Sequence, residues 1–338
     1  MDVLSEVLLA VRMTRAVFFE FDARSPFVAQ SPPTEAVALN MAADPERVIA
    51  FHVLMSGSCW VEAVDDSESA QLLRAGEMLI FPDGDTNILA SDPGMCSHLD
   101  SARPYRSVSD SLPFVGKADG DGDGEAAGCR IVSGYLAYEE RPFNPLLESL
   151  PRMMHAAVSP RSWQWMPGVL DAAIEASDSP EAGQAAMLAK LSELMFLEAL
   201  RAHLTSLPPT ARGWVAGLRD PEIGAALGLI HGRFAEPWTL ELLAREVQMS
   251  RSSFVERFTT YVGVPPMAYL VRWRLQVAAR MLQGGASSVA QTASAVGYHS
   301  ESAFHRAFKR QVGSSPGTWR RGQREALRRG SIQVWHRS

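Results

Sequence analysis

Two stretches of this chain, about fifty residues apart, repeat one helical design, and few folds accommodate that repeat. In the first, Ser250 is placed to cap a helix from Arg251 to about Tyr261, with Phe254 and Phe258 four apart on its inner face. In the second, Ser300 caps Glu301–Gln311, and Phe304 and Phe308 repeat the pair. A short apolar helix precedes each. Thr239 caps Leu240–Val247, whose inward side is Leu240, Leu243, Ala244 and Val247. Val289–Val296 turns Ala290, Ala293 and Val296 inward, and Gly297 follows, where the lack of a Cβ suits a left-handed turn residue. Gln248-Met249 and Tyr298-His299 complete the two tight turns. Helices joined so tightly can cross at a steep angle, which leaves the second free to enter a major groove. Between the pairs, Pro265-Pro266 opens a long helix through Leu282, ended by Gly284-Gly285. At about 1.5 Å per residue, it can hold the two outer helices about 34 Å apart, one turn of B-DNA.

Charge divides along the chain in the same sense. The formal charge is −6, but from Ala211 onward 18 lysines and arginines face 8 acids, a balance of +10 that leaves −16 on the rest. One basic and one acidic part is the asymmetry expected when only one domain meets phosphates. A length of 338 residues suits two domains rather than one core. No apolar run reaches the roughly 18–20 residues of a membrane span, and the start Met1–Glu6 lacks the basic opening and cleavage site of a secretory signal. Cys59, Cys96 and Cys129 are odd in number and far apart, so reduced thiols are expected and no disulfide framework. A cytoplasmic protein is the expectation.

Residues 1–150 read mostly as strands. Val48–Met55 is an apolar β-rich run that stops at Ser56-Gly57-Ser58, and Cys59–Val64 resumes after the turn. Leu72–Gly76 leads into Glu77–Phe81, which Pro82-Asp83-Gly84-Asp85 ends. Short strands at this spacing favour a small barrel or sandwich over a parallel sheet. Asp119, Asp121, Asp123 and Gly124 match the opening of a calcium loop, but its twelfth position is Arg130, which brings positive charge where a bidentate carboxylate is needed. Calcium is not expected.

From about Ser162 the period becomes helical. Trp165, Val169, Leu170 and Ile174 space as a buried stripe. A second helix from about Glu181 to Leu204 carries a broad apolar side, comprising Met187, Leu188, Leu191, Leu194, Met195 and Leu197–Leu200. Its two possible partners are the chain's own barrel and a second copy of the chain. Ser206–Thr210 makes a linker.

The carboxy-terminal residues resemble the AraC/XylS family of bacterial regulators. Leu240–Phe254, Arg257-Phe258 and Gly263–Pro266 resemble its first unit, Arg274-Leu275 and Ala278–Leu282 its linking helix, and Ala293–Phe308 with Gly313–Pro316 its second signature. The resemblance covers about Arg219 to Arg321. It implies a domain that recognises adjacent major-groove segments of promoter DNA through two helix-turn-helix units. Ser252, Val255 and Glu256 then occupy base-facing positions in the first unit, and Glu301, Ser302, His305 and Arg306 in the second. Glutamate can accept from cytosine N4, valine can touch a thymine methyl, and Arg306 suits a bidentate guanine contact. Arg251, Arg257, Lys309 and Arg310 are expected on phosphates, giving affinity without sequence information.

Residues 2–141 resemble a cupin-type domain. Gly76, Pro82–Asn87 and the turn after His52 correspond to its two motifs. A catalytic cupin supplies several histidines and a carboxylate to a metal. Here Leu54 stands where a second histidine is usual, Cys59 replaces the carboxylate and Asn87 the last histidine, and nothing in the spacing requires His98. No metal, cofactor or catalytic residue is therefore expected. His52, Cys59 and Asn87 are instead the candidates for an effector pocket.

The resulting expectation is an α+β chain of two domains: a cupin-like β-barrel over 1–150, connecting and dimerising helices over 160–206, an all-α tandem helix-turn-helix domain over 215–322, and a basic tail over 323–338. The expected partners are double-stranded promoter DNA, a small-molecule effector, a second copy of the chain and RNA polymerase, with no membrane. A barrel that is only a dimerisation scaffold, or a cupin enzyme, is the alternative.

Overall fold

The structure, a computed structural model, describes residues 3–10, 13–31, 37, 47–64, 66–93, 107–109, 112–118, 128–138, 143–178, 183–208, 210–283 and 287–322. The acidic loop at 119–124, Cys96, His98 and the tail at 323–338 lie outside the described residues. The chain divides into two compact units, one of residues 12–140 with 150–207, the other of 1–11, 141–149 and 208–338.

The first unit is built on two antiparallel sheets. Its strands are β1 (Met13–Arg24), β2 (Phe27–Gln30), β3 (Arg47–Ser56), β4 (Ser58–Ala63), β5 (Asp66–Arg74), β6 (Glu77–Phe81), β7 (Asn87–Ala90), β8 (Ser107–Ser109), β9 (Leu112–Ala118), β10 (Gly128–Tyr138) and β11 (Met154–Ala157). One sheet runs β1-β10-β3-β6-β11 and the other β5-β4-β7-β2-β9-β8. Their inner faces share one core, in which Leu54, Leu79, Ile131 and Tyr135 of the first sheet meet Val61, Leu73 and Leu89 of the second. The result is a cupin-like sandwich. Gly57, with φ +76°, turns β3 into β4, and a Cβ there would lie 2.4 Å from the Gly128 carbonyl oxygen, so only glycine fits.

Helices α2 (Pro160–Trp163), α3 (Met166–Asp178) and α4 (Gln184–Ser206) complete this unit. The buried residues of α3 are Met166, Leu170 and Ala173, whereas Trp165, Val169 and Ile174 are half-buried. The stripe read from the sequence is thus rotated, with only Leu170 common to both. On α4 the apolar side divides. Leu188, Met195, Phe196, Ala199 and Leu200 are buried, while Met187 and Leu194 are 43% and 37% exposed. The helix therefore packs against its own unit, along β1 and β11, and keeps an apolar stripe outside. Arg130 bridges Glu20 of β1 and Asp171 of α3, the latter at 2.8 Å.

The second unit is helical: α1 (Val3–Ala10), α5 (Trp214–Gly217), α6 (Pro221–Gly232), α7 (Leu240–Glu246), α8 (Arg251–Val262), α9 (Pro266–Gln283), α10 (Val289–Ala295) and α11 (Glu301–Val312). Two of its pieces come from the part of the chain read as barrel. Helix α1 packs on α6, and Phe143 sets its ring edge-on to Tyr269 of α9 at 5.5 Å between centroids. The Phe143 N–H also donates to the Gln276 side-chain oxygen at 3.2 Å. Residues 1–11 and 141–149 thus cluster with the helices and not with the sandwich.

Candidate nucleic-acid interface and regulatory site

The two helix pairs share one plan of caps and turns. The Thr239 hydroxyl accepts from the Leu242 N–H to cap α7, and Ser288 caps α10 in a reciprocal box with Gln291. Ser250 and Ser300 cap α8 and α11 by accepting from the Ser253 and Ala303 N–H groups. Gly263 and Gly313 end those helices at φ +78° and +80°. The turn between the helices of each pair passes through a left-handed residue. It is Gly297 at φ +82° in the second pair and Gln248 at φ +56° in the first.

Phe254, Phe258, Phe304 and Phe308 are fully buried and fix the rotation of α8 and α11 about their axes. The inward residues expected on α7 hold at Leu243, Ala244 and Val247, with Leu240 half-buried. On α10, Ala293 and Val296 are buried, but Ala290 is exposed and Thr292 takes its place inside. Helix α9 joins the pairs through a buried cluster. The Tyr269 hydroxyl accepts from the Trp214 indole N–H and contacts His231 Nε2, both at 2.8 Å, and His231 stacks on Trp273 at 3.9 Å. Arg274 of α9 donates to the carbonyls of Phe234 and Glu236 at 2.7 and 2.6 Å, tying the segment before α7 to the linking helix.

With the phenylalanines turned in, the opposite faces of α8 and α11 are open to solvent. Ser252 and Glu256 are exposed and Val255 is half-buried on α8. On α11, Glu301, Ser302 and Arg306 are exposed, and His305 is half-buried, 3.6 Å from Glu301. Lys309 and Arg310 are exposed at the end of α11. The other two cations have protein partners. Arg251 sits 3.1 Å from Glu241, with both side chains over 60% exposed, a pair a phosphate can displace. Arg257 is bound more firmly, to Asp220 at 2.7 Å and Glu222 at 3.1 Å. Asp220 caps α6 and its side chain is only 4% exposed. Burial pushes its carboxyl up, but the Ile223 N–H and the Arg257 guanidinium together hold it below the usual range. Arg257 therefore locks α8 to α6, a role its spacing in the sequence did not reveal.

The amino-terminal candidates are buried. His52, Cys59 and Asn87 are each no more than 1% exposed. His52 Nε2 lies 2.8 Å from Asn87 Oδ1 and Nδ1 lies 2.8 Å from the Ser133 hydroxyl. Asn87 Nδ2 donates to the Asp85 carbonyl, which fixes the amide so that its oxygen accepts from the imidazole. Ser133 then donates to Nδ1, and the ring is neutral. Burial lowers its pKa to about 4, against the opposing pull of the Asn87 hydrogen bond. Among the described residues no three His, Cys, Asp or Glu side chains gather where a metal could bind. A separate cleft of about 810 Å³ opens beside α2 and α4, with Ser162, Trp165, Glu198 and Arg201 in its wall. There the Ser162 hydroxyl donates to Glu198 at 2.6 Å, and Arg201 pairs with the same carboxylate at 3.2 Å.

Comparison with known proteins agrees with both halves. A cupin family model matches residues 2–205 and a helix-turn-helix domain model matches residues 243–322. A putative AraC-like transcription regulator of Streptomyces lividans is 33% identical over 282 residues, which covers 82% of this chain and 88% of that protein. The chain belongs to the AraC-type transcription regulators. Its amino-terminal part is a cupin domain and its carboxy-terminal part the DNA-binding domain of the family. A second relative, the HTH-type transcriptional regulator AlkR of Acinetobacter baylyi, is 29% identical over 277 residues, covering 80% of this chain and 86% of AlkR. Among the described residues no helix is long and apolar enough to cross a membrane.

Proposed function

We propose that this AraC-type regulator reads a promoter with α8 and α11 in successive major grooves, under the control of a small molecule bound by the cupin unit. The duplicated burial of the phenylalanine pairs carries this reading. It aims Ser252, Val255 and Glu256 on one helix, and Glu301, Ser302, His305 and Arg306 on the other, away from the core. Arg306 is the guanine reader, and Lys309, Arg310 and Arg251 hold phosphates. Arg306→Ala should then lose about 1–3 kcal/mol at one base pair and little elsewhere. Equal loss on every DNA sequence, measured by fluorescence anisotropy, would assign Arg306 to a phosphate instead.

The cupin unit acts as a sensor rather than an enzyme, because its metal-binding positions hold Leu54, Cys59 and Asn87. The effector enters the sandwich against His52 and Asn87, exchanging a ligand group for part of their hydrogen-bonded chain. The cleft at Ser162, Trp165 and Glu198 supports a second place, since its volume falls in the range of small-molecule sites. Hydrogen exchange with the effector bound separates the two. Protection confined to residues around 52 and 87 favours the sandwich, protection at 198–206 favours the cleft, and none at either contradicts a sensor. The regulator acts in the cytoplasm as a homodimer through α4, where promoter DNA and RNA polymerase are its partners.

A further inference from the structure

Residues 233–239 carry the chain from α6 into the first helix pair, and they also touch the second. The segment is braced within itself. The Arg233 guanidinium meets the Glu236 carboxylate through two nitrogens, each at 2.7 Å, and lies over the Trp238 ring, 4.9 Å from its centroid. The Trp238 indole N–H donates back to the Arg233 carbonyl at 2.9 Å, and Thr239, next in the chain, caps α7. From the second pair, Gly297 comes so close that a Cβ on it would lie 2.5 Å from the Ala235 carbonyl oxygen and 3.1 Å from the Ala235 Cα. Tyr298 follows, and its ring packs edge-on against Phe304 of α11 at 5.4 Å between centroids. A line of contact therefore runs from the cap of α7, through Ala235, to the buried face of α11. Arg274 grips this line on both sides of Ala235, with Nε on the Phe234 carbonyl and Nη2 on the Glu236 carbonyl. Both acceptors are backbone atoms, so the grip holds the path of the chain whatever side chains it carries. A planar guanidinium can fix two carbonyls at once, which a single ammonium nitrogen does less rigidly.

We propose that Arg274 is a positioning residue for DNA recognition: its grip on Phe234 and Glu236 fixes how α8 stands relative to α11, and so which spacing of half-sites the regulator accepts. The proposal rests on the reading above, in which both helices enter the major groove. One extra base pair between the half-sites moves the second by about 3.4 Å and turns it by about 35°. Two helices clamped to each other cannot follow that change. Two helices joined by α9 with the segment at 233–239 released can yield to it. Arg274 acts through α7 and α8 and does not itself contact DNA.

The test measures the affinity of the full chain, by fluorescence anisotropy, for duplexes carrying its selected two-part site at the preferred spacing and with one base pair inserted or removed between the halves. The unsubstituted chain should lose about tenfold or more on either change, because one half-site falls out of register. Arg274→Gln should narrow that loss to about threefold or less, as a looser connection tolerates more spacings. Arg274→Lys should fall between the two. Ala235→Gly, at an exposed position, loosens the gripped segment without removing a carbonyl and should act in the same direction. Where the Arg274 variants do not fold, Ala235→Gly decides alone. Variants that weaken binding equally at every spacing would overturn the proposal and leave Arg274 a stabilising contact only. An unsubstituted chain indifferent to spacing would instead contradict the two-helix reading on which the proposal rests.

Discussion

At the scale of single residues, the two helix-turn-helix units solve one backbone problem with different side chains. Both turns need a left-handed residue, and the second uses Gly297 while the first uses Gln248. Gly297 has no alternative, because an added Cβ would lie 2.5 Å from the Ala235 carbonyl oxygen. Gly297→Ala should combine that clash with the left-handed penalty and destabilise the helical unit by about 2 kcal/mol or more. Gln248→Gly should be close to neutral, since relief of strain offsets the added freedom of the unfolded chain. Urea denaturation of both variants decides; equal stability of Gly297→Ala and the parent would contradict the turn geometry. Gly297 was legible in the sequence because its requirement is local. The fastening of Arg257 to Asp220 was not, since it joins positions 37 residues apart and resembles any exposed helical cation in a sequence.

Among elements, legibility followed the same division. Strands β3, β4 and β6 fall within two residues of their reading from apolar runs and turn residues, and α8 and α11 start at the caps read for them. What escaped was which surface each element meets. The rotation of α3, the exposure of Ala290 and the docking of α1 and Phe143 in the helical unit all depend on partners distant in sequence. Helix α4 is the informative case, because its apolar side was too wide for a single partner. Half of it packs on the sheet, and Met187 and Leu194 remain exposed, with half-buried Leu191 between them at spacings of four and three. If this stripe joins two copies, Met187→Glu with Leu194→Glu should convert a dimer to a monomer in sedimentation equilibrium without unfolding the sandwich. A parent chain that is monomeric at micromolar concentration would contradict the dimer.

At the level of the whole molecule, each unit buries one neutral histidine among the described residues, His52 in the sandwich and His231 in the helical unit. Burial lowers His52 to about 4 and His231 to about 3, both far below the roughly 6.5 of an unfolded chain. The unfolded chain therefore binds protons between these limits that the folded chain refuses. Stability is complete above about pH 6.5 and falls as pH drops toward 4 and 3, by on the order of 3 kcal/mol for His52 and 5 kcal/mol for His231. Thermal melts from pH 7.5 to 4 should show both units weakening with acid. His231→Phe should flatten the dependence of the helical unit alone, and an unchanged slope would show that His231 is not the group responsible.

The central claim is that two recognition helices, held by one linking helix, read two adjacent segments of DNA. Selection from a random duplex library with the full-length chain at about 0.15 M salt tests it most directly. A bipartite motif with its halves about 10 base pairs apart is the predicted result. Enrichment of a single half, or no enrichment with binding lost uniformly as salt rises, would contradict it.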